Sequence, residues 1–368
     1  MRSLPLTDEV INDAERKRET METSLKQLGA LIYEQIQNRE FPWIMMQSRS
    51  SDNIRYDNEV RQFILGDRTV RRHSRNVRNI RPFTQFLWTA WFARELVRLK
   101  KTSTLREVYY SARGQRDIEF SGQTESDYII TDLEVALNIP RESLNIYPKD
   151  RGAIFGDLNI QYTFPPAYEG RVKNLTDNPD GAPIGRSLTS SQLLDTTADK
   201  VIVIEKDAMF SRFVEEKVHE KHNAILIQTE GIPSRSARMV IQRLNQNMGL
   251  PVYIFTDGDP WGLHIAMVII SGSAVAAHLR GLTTPDAKWI GVWGTDVLKY
   301  KLPTENLTEK DLKRLIELKK DPRYVDNLWQ REIDIFLKMG KKAELEAFSA
   351  LGLTYIVDEY LPEKLASI

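Results

Sequence analysis

The stretch from Val201 to Thr256 alternates short apolar runs with amphipathic segments, and nothing else in the chain restricts the fold as much. Residues 201–205 (Val-Ile-Val-Ile-Glu), 224–228 (Ala-Ile-Leu-Ile-Gln) and 252–256 (Val-Tyr-Ile-Phe-Thr) are rich in β-branched and aliphatic side chains, the composition of buried strands. Residues 207–220 and 234–248, between them, have helical spacing. This order predicts an α/β arrangement, a mainly parallel sheet with helices on both faces, because parallel neighbours are joined by crossovers that cover the sheet. In such sheets ligands gather outside the carboxyl ends of the strands.

Acids stand at two of those ends. Glu205 closes the first run, and Asp257-Gly258-Asp259 closes the third, just before a proline suited to the first turn of a helix. Alternation along a strand points Asp257 and Asp259 the same way, with Gly258 letting the backbone bend between them. Three carboxylates on one sheet edge suit Mg2+, which takes oxygen ligands and keeps several waters. One acid in such a place is ordinarily a helix cap; two strand ends in one sheet argue for more. An acid after one strand and Asp-x-Asp two strands later is similar to the Toprim module, the magnesium-binding domain of several topoisomerases, primases and nucleases. Haloacid-dehalogenase-type phosphatases also carry Asp-x-Asp after an apolar strand, but their nucleophile belongs to the first strand.

The 368-residue chain is long enough for two or three domains. It has no cysteine, which excludes disulfides, thiolate catalysis and Cys-ligated zinc. It lacks both an apolar run of membrane-spanning length and a signal-like N-terminus, so no membrane partner is expected and a cytoplasmic, nucleoid-associated protein is. His219 and His222 lie in a charged segment and read as a solvated helix end. Net charge is zero, yet residues 68–106 hold eleven Lys or Arg against Glu95 alone. A solvated face ordinarily mixes both signs. Arg71, Arg72, Arg75 and Arg78 are therefore candidate contacts to a phosphate backbone.

That basic region reads as a winged helix. A helix over 83–101, a break at Thr102-Ser103 and a capping box in Thr104-Leu105-Arg106-Glu107 suggest helix, turn, helix. A third helix over 126–138 and a β-hairpin of 144–147 with 152–155, tipped by Lys149 and Arg151, complete it. In the second helix Leu105, Val108, Tyr109 and Ala112 form the buried stripe, while Tyr110 turns away from it to share a face with Arg106 and Arg113. Two guanidiniums favour the phenolate and can clamp a phosphodiester. A tyrosine that only donates to phosphate would have the same surroundings.

Together, the basic winged helix with Leu-Arg-Glu-Val-Tyr-Tyr and the sheet with Glu and then Asp-x-Asp resemble the A subunits of type IIB topoisomerases and the related meiotic double-strand-break proteins, over roughly residues 70–368. The resemblance implies that Tyr110 is the nucleophile, Arg106 its catalytic partner, and Glu205, Asp257 and Asp259 the Mg2+ ligands. It implies cleavage of double-stranded DNA through a 5′-phosphotyrosyl link, a homodimer acting in trans, and a separate ATPase, the B subunit, in an A2B2 assembly. Gly231-Ile232-Pro233 with Arg238 looks like the family's Gly-aromatic-Pro turn, with Ile232 in place of the aromatic. This chain has no P-loop of its own: Gly181 to Ser187 is one residue short and has Arg for Lys, so ATP is left to the partner. Two alternatives are a winged-helix DNA-binding protein and a break-forming nuclease that does not reseal.

The expected division is an N-terminal extension (1–67), the winged helix (68–157), a linker (158–198) and a Toprim domain with C-terminal helices (199–368). In the extension, 25–37 reads as a helix, 47–58 as partly mobile, and the whole as the dock for the ATPase. Beyond the acids a helix over 260–278, a strand over 289–293 and helices over 308–319, 323–339 and 341–350 are expected.

Overall fold

The computed structural model describes residues 8–367; the first seven residues of the expected extension and Ile368 lie outside. Two hydrophobic cores divide the chain, one running from Met21 to Ile146 and the other from Ile154 to Leu361.

The first core is helical. The N-terminal helix, Asp8–Gln37, is longer than the sequence reading and buries Met21, Leu25 and Ile32. The polar stretch expected to be partly mobile is ordered: Trp43–Gln47 pairs antiparallel with Thr69–His73, and between them Ile54–Asp57 pairs with Gln62–Leu65. Three helices follow, α1 (Val77–Arg98), α2 (Leu105–Ala112) and α3 (Gln123–Leu137). The predicted capping box is present: Thr104 accepts from Glu107 N at 3.1 Å and Thr104 N donates to Glu107 Oε2 at 2.6 Å. Helix α3 ends at Asn138 in the left-handed conformation, just before Ile139-Pro140.

The expected wing is not formed. Ile146–Tyr147 pairs parallel with Ser103–Thr104, and β1 (Ala153–Phe155) leaves for the second core, where it is antiparallel to Ala224–Gln228. That sheet has six strands, completed by β2 (Ala182–Pro183), β3 (Lys200–Ile204), β4 (Ala224–Gln228), β5 (Val252–Phe255) and β6 (Lys288–Gly291), in the order β2-β1-β4-β3-β5-β6. A short apolar strand buries Ile154 completely here, which a solvated wing does not allow. Gly152 makes the junction: its φ is +89°, and a Cβ there would sit 2.4 Å from Gln228 O.

Strands β4, β3, β5 and β6 are parallel, as the alternating pattern predicts, joined by α4 (Asp207–Glu215), α5 (Arg235–Met248) and α6 (Pro260–Ser271). The expected linker is also ordered. Leu158–Gln161, Val172–Asn174 and Gln192–Thr196 make a three-stranded antiparallel sheet whose Leu158 and Ile160 are fully buried. Helix α6 stops at Ser271 rather than near 278, because Gly272 takes a φ of +71°. Glu309–Lys320 and Asn327–Met339 are helices, whereas 341–350 is a two-residue strand followed by a 3-10 turn, Leu345–Ala350.

Candidate active site

Strands β3 and β5 are hydrogen-bonded neighbours from which the chain departs in opposite directions, to β4 and to β6. Glu205 and Asp257 therefore emerge side by side at the sheet's switch point, the place where such sheets hold ligands. Glu205 N donates to Phe255 O at 3.1 Å, and Asp257 N donates to Glu205 Oε2 at 3.0 Å. Gly231 N donates to Glu205 O at 3.0 Å, so the Gly231-Ile232-Pro233 turn is fixed to the backbone of the acid. Ile232 itself is exposed.

Asp257 is gripped from both sides. Its Oδ1 accepts from Leu345 N at 2.8 Å, and its Oδ2 lies 3.1 Å from Lys206 Nζ. Gly258 is bridged to Ala343 by two backbone bonds of 2.9 and 3.1 Å, and a Cβ on Gly258 would stand 3.2 Å from Ala343 O. Close approach, rather than a bend, is what this glycine provides. Gly262 is tighter still, its hypothetical Cβ 2.1 Å from Asp257 O. Asp259 takes the capping role: its Oδ1 accepts from Trp261 N at 2.8 Å and Gly262 N at 2.7 Å. Its charge nevertheless reaches the other two acids.

Burial, and then the charge of Asp257, pushes Glu205 up to about 8. Burial raises Asp257 to about 6 against the pull of the Leu345 N–H and Lys206, and Asp259 is raised by burial as well. Carboxyls that resist ionisation side by side mark a place short of positive charge. Among the described residues no three His, Asp or Glu side chains already stand in ligand geometry, because Asp259 faces its helix and Lys206 holds Asp257. The donors still fit a hard divalent cation, being all oxygen, fixed by two adjacent strands and deficient in countercharge.

Helix α2 presents the tyrosine as the helical spacing predicts. Val108 and Ala112 are fully buried, Tyr109 is half-buried, and Tyr110 is 47% exposed. The guanidinium carbons of Arg106 and Arg113 lie 5.6 and 5.5 Å from the Tyr110 ring centre. Hydrogen bonding and charge from Arg106, with a smaller contribution from Arg113, hold the Tyr110 phenol below the usual tyrosine range.

The basic stripe is partly consumed by structure. Arg72 and Arg49 together hold the buried Asp132, Arg72 Nε at 3.0 Å and Arg49 Nη2 at 2.7 Å. Arg71 lies over the Trp43 ring, while Arg75 and Arg78 are exposed. Lys149 is exposed as well; Arg151 donates to Glu230 O, which puts it beside the Gly231 turn at the acidic end of the sheet.

Two features have no clear signal in the sequence. Lys206 and the 343–346 strap close over Asp257, and only the residue following Glu205 hints at this. The second is a buried contact between the two cores: Glu134 of α3, fully buried, accepts from Arg235 of α5 at 2.6 and 3.1 Å.

The Toprim-domain family of topoisomerase 6 A subunits and Spo11 matches residues 200–365, and the family described as "Type IIB DNA topoisomerase" matches residues 81–146. The A subunit of type 2 DNA topoisomerase 6 from Methanothermobacter thermautotrophicus is 42% identical over 356 residues, 96% of this chain and 99% of that protein. Proteins of the same name from Archaeoglobus fulgidus and Natronomonas pharaonis are 35% identical (92% of this chain, 94% of that protein) and 32% identical (97% and 98%).

Proposed function

The chain belongs to the family of topoisomerase VI A subunits and Spo11, and on that premise we propose that it is the DNA-cleaving component of a type IIB topoisomerase, with Tyr110 as its nucleophile. The observation that carries the assignment of residues is the pairing of an exposed phenol set between two arginines with buried acids at the switch point of a Toprim sheet.

The Tyr110 phenol gives up its proton to solvent and its oxygen attacks a backbone phosphorus; a P–O bond to tyrosine forms and the P–O3′ bond breaks, the 3′ oxygen taking up a proton from solvent. The 5′ end stays on the protein as a diester, so the reverse step reseals without a further energy source. Arg106 and Arg113 stabilise the phenolate and hold the phosphate oxygens. Mg2+ held by Glu205, Asp257 and Asp259 would supply positive charge for the phosphoryl and leaving oxygens. Arg71, Arg75, Arg78, Lys149 and Arg151 track the duplex, while Arg72 acts mainly through Asp132.

The tyrosine belongs to a helical domain of winged-helix type whose wing strand has been taken into the neighbouring sheet. We divide the chain into extension, tyrosine domain and Toprim domain, with 153–198 joined to the last. Two chains form a homodimer in which the tyrosine of one meets the acids of its partner, and two ATP-binding B subunits complete A2B2. Tyr33 and Ile36, exposed on one face of the N-terminal helix, are the surface we assign to the ATPase. No helix among the described residues is long and apolar enough to cross a membrane, and we place the enzyme with the DNA, in the nucleoid.

The test is relaxation of supercoiled plasmid by this chain with its ATPase partner, ATP and Mg2+. Tyr110→Phe and Asp257→Asn are each inactive, and a mixture of the two regains one intact site per heterodimer, read as single-strand cleavage, only if each site draws on two protomers. Relaxation by Tyr110→Phe alone would overturn the assignment.

A further inference from the structure

The residue directly after the first acid is engaged in a way that cleavage chemistry does not require. Lys206 Nζ lies 3.1 Å from Asp257 Oδ2, 2.9 Å from Glu344 Oε2 and 3.1 Å from Glu346 Oε2. Its side chain is one-quarter exposed, so the ammonium is partly withdrawn from water at the rim of the acid site. Glu344 and Glu346 alternate with Ala343 and Leu345, the residues that bridge to Gly258 and donate to Asp257. The strap thus carries two interleaved sets: one fixes Asp257, and the other offers two carboxylates to the lysine beside it.

We propose that Lys206 is a resident cation of the metal-free site, and that Glu344 and Glu346 form the berth to which it withdraws when a divalent ion takes Asp257 Oδ2. The inference rests on the reading of Glu205, Asp257 and Asp259 as metal ligands. A buried carboxylate without a countercharge is costly. Asp257, at 5% exposure, needs a cation both before and after the metal binds. A lysine already shared among three carboxylates exchanges partners by a small movement of a flexible side chain and never becomes unpaired. In this role Lys206, Glu344 and Glu346 are positioning residues: they set how strongly the metal is held, because the ion must displace the ammonium and the ammonium must have somewhere to go.

The exchange makes a prediction that simple charge addition does not. Lys206→Gln removes the competitor and tightens divalent binding, on the order of tenfold. Glu344→Gln with Glu346→Gln removes the berth, leaves the ammonium on Asp257 and weakens binding by a similar factor. In the triple variant the glutamate substitutions have no further effect, since there is no lysine left to receive. Independent charges would instead give additive shifts.

The experiment is titration of the full-length chain with Mn2+ alone at one fixed pH, free Mn2+ being read by electron paramagnetic resonance. The glutamates are at least two-fifths exposed, so their double variant is expected to fold even where Lys206→Gln does not. That variant by itself must lose affinity. Unchanged affinity in either variant, or additive effects in the triple, would overturn the exchange while leaving the metal site standing. No Mn2+ binding by the unaltered chain would remove the metal reading and this proposal together.

Discussion

The Glu134–Arg235 contact predicts how firmly the tyrosine domain is held to the sheet. Glu134 is fully buried and accepts from Arg235 Nη1 at 2.6 Å, Arg235 Nη2 at 3.1 Å and Arg141 N at 2.8 Å. Burial alone would raise its carboxyl, but the His278 hydrogen bond and the Arg235 charge outweigh burial and bring it from 4.5 down to about 2. At about 1.4 kcal/mol for each pH unit of depression, this stabilises the folded chain by a few kcal/mol. Because the folded value is the depressed one, this contribution is complete above pH 4.5 and is lost as the pH falls from 4.5 toward 2. Arg235→Met strands the carboxylate and costs about 3–5 kcal/mol at pH 7. Adding Glu134→Leu to it should recover at least half, since the buried charge then goes with its partner. Urea unfolding, followed by tryptophan fluorescence and circular dichroism, measures each variant, and Glu134→Gln across pH 7 to 3 isolates the titrating group. An Arg235→Met variant within about 1 kcal/mol of the parent, or a Glu134→Gln difference that does not shrink in acid, would refute the reasoning.

Other expectations follow from single contacts. Gly262→Ala drives a methyl against Asp257 O, so it should cost about 1–3 kcal/mol in urea unfolding and weaken Mn2+ binding. Arg75→Ala with Arg78→Ala should flatten the salt dependence of DNA binding by about 2 in the log–log slope, about 0.9 for each phosphate contact. Arg72→Ala should leave that slope unchanged and instead lower stability by about 1–3 kcal/mol, since Asp132 loses one of its two guanidiniums. Arg106→Ala lets the Tyr110 phenol rise toward its ordinary value, so the pH profile of adduct formation should move to higher pH; an unmoved profile with lower amplitude would assign Arg106 to phosphate binding alone.

What the sequence disclosed and what it hid follow one physical division. The strands from Lys200 to Phe255 are legible because each is a continuous apolar run buried on both faces, and the capping box of Thr104 and Glu107 is local chemistry. The face of Tyr110 follows from helical spacing alone. The place of Ala153–Phe155 is not legible, because three residues carry no period and their partner, β4, is about seventy residues away. The antiparallel sheet of residues 158–196 is hidden in the same way, its short strands Leu158–Gln161 and Val172–Asn174 separated by a connection that holds Pro165, Pro166 and Gly170. At the acids, alternation predicts two aspartates side by side. The structure adds a second duty for Asp259, whose Oδ1 also caps α6, since orphan N–H groups at the start of that helix compete for the carboxylate. The strap from Ala343 to Glu346 cannot be read at all, being polar, irregular and nearly ninety residues from the aspartate it holds.

The most direct test is transfer of label from 3′-end-labelled DNA to this chain, in the presence of the proposed ATPase subunit, ATP and Mg2+, followed by proteolysis and mapping of the labelled peptide. A 5′-phosphate on Tyr110, absent from Tyr110→Phe, Glu205→Gln and Asp257→Asn and retained in Tyr109→Phe, is the result the proposed mechanism requires. Label on any other residue, or an adduct that persists in Tyr110→Phe, would contradict it.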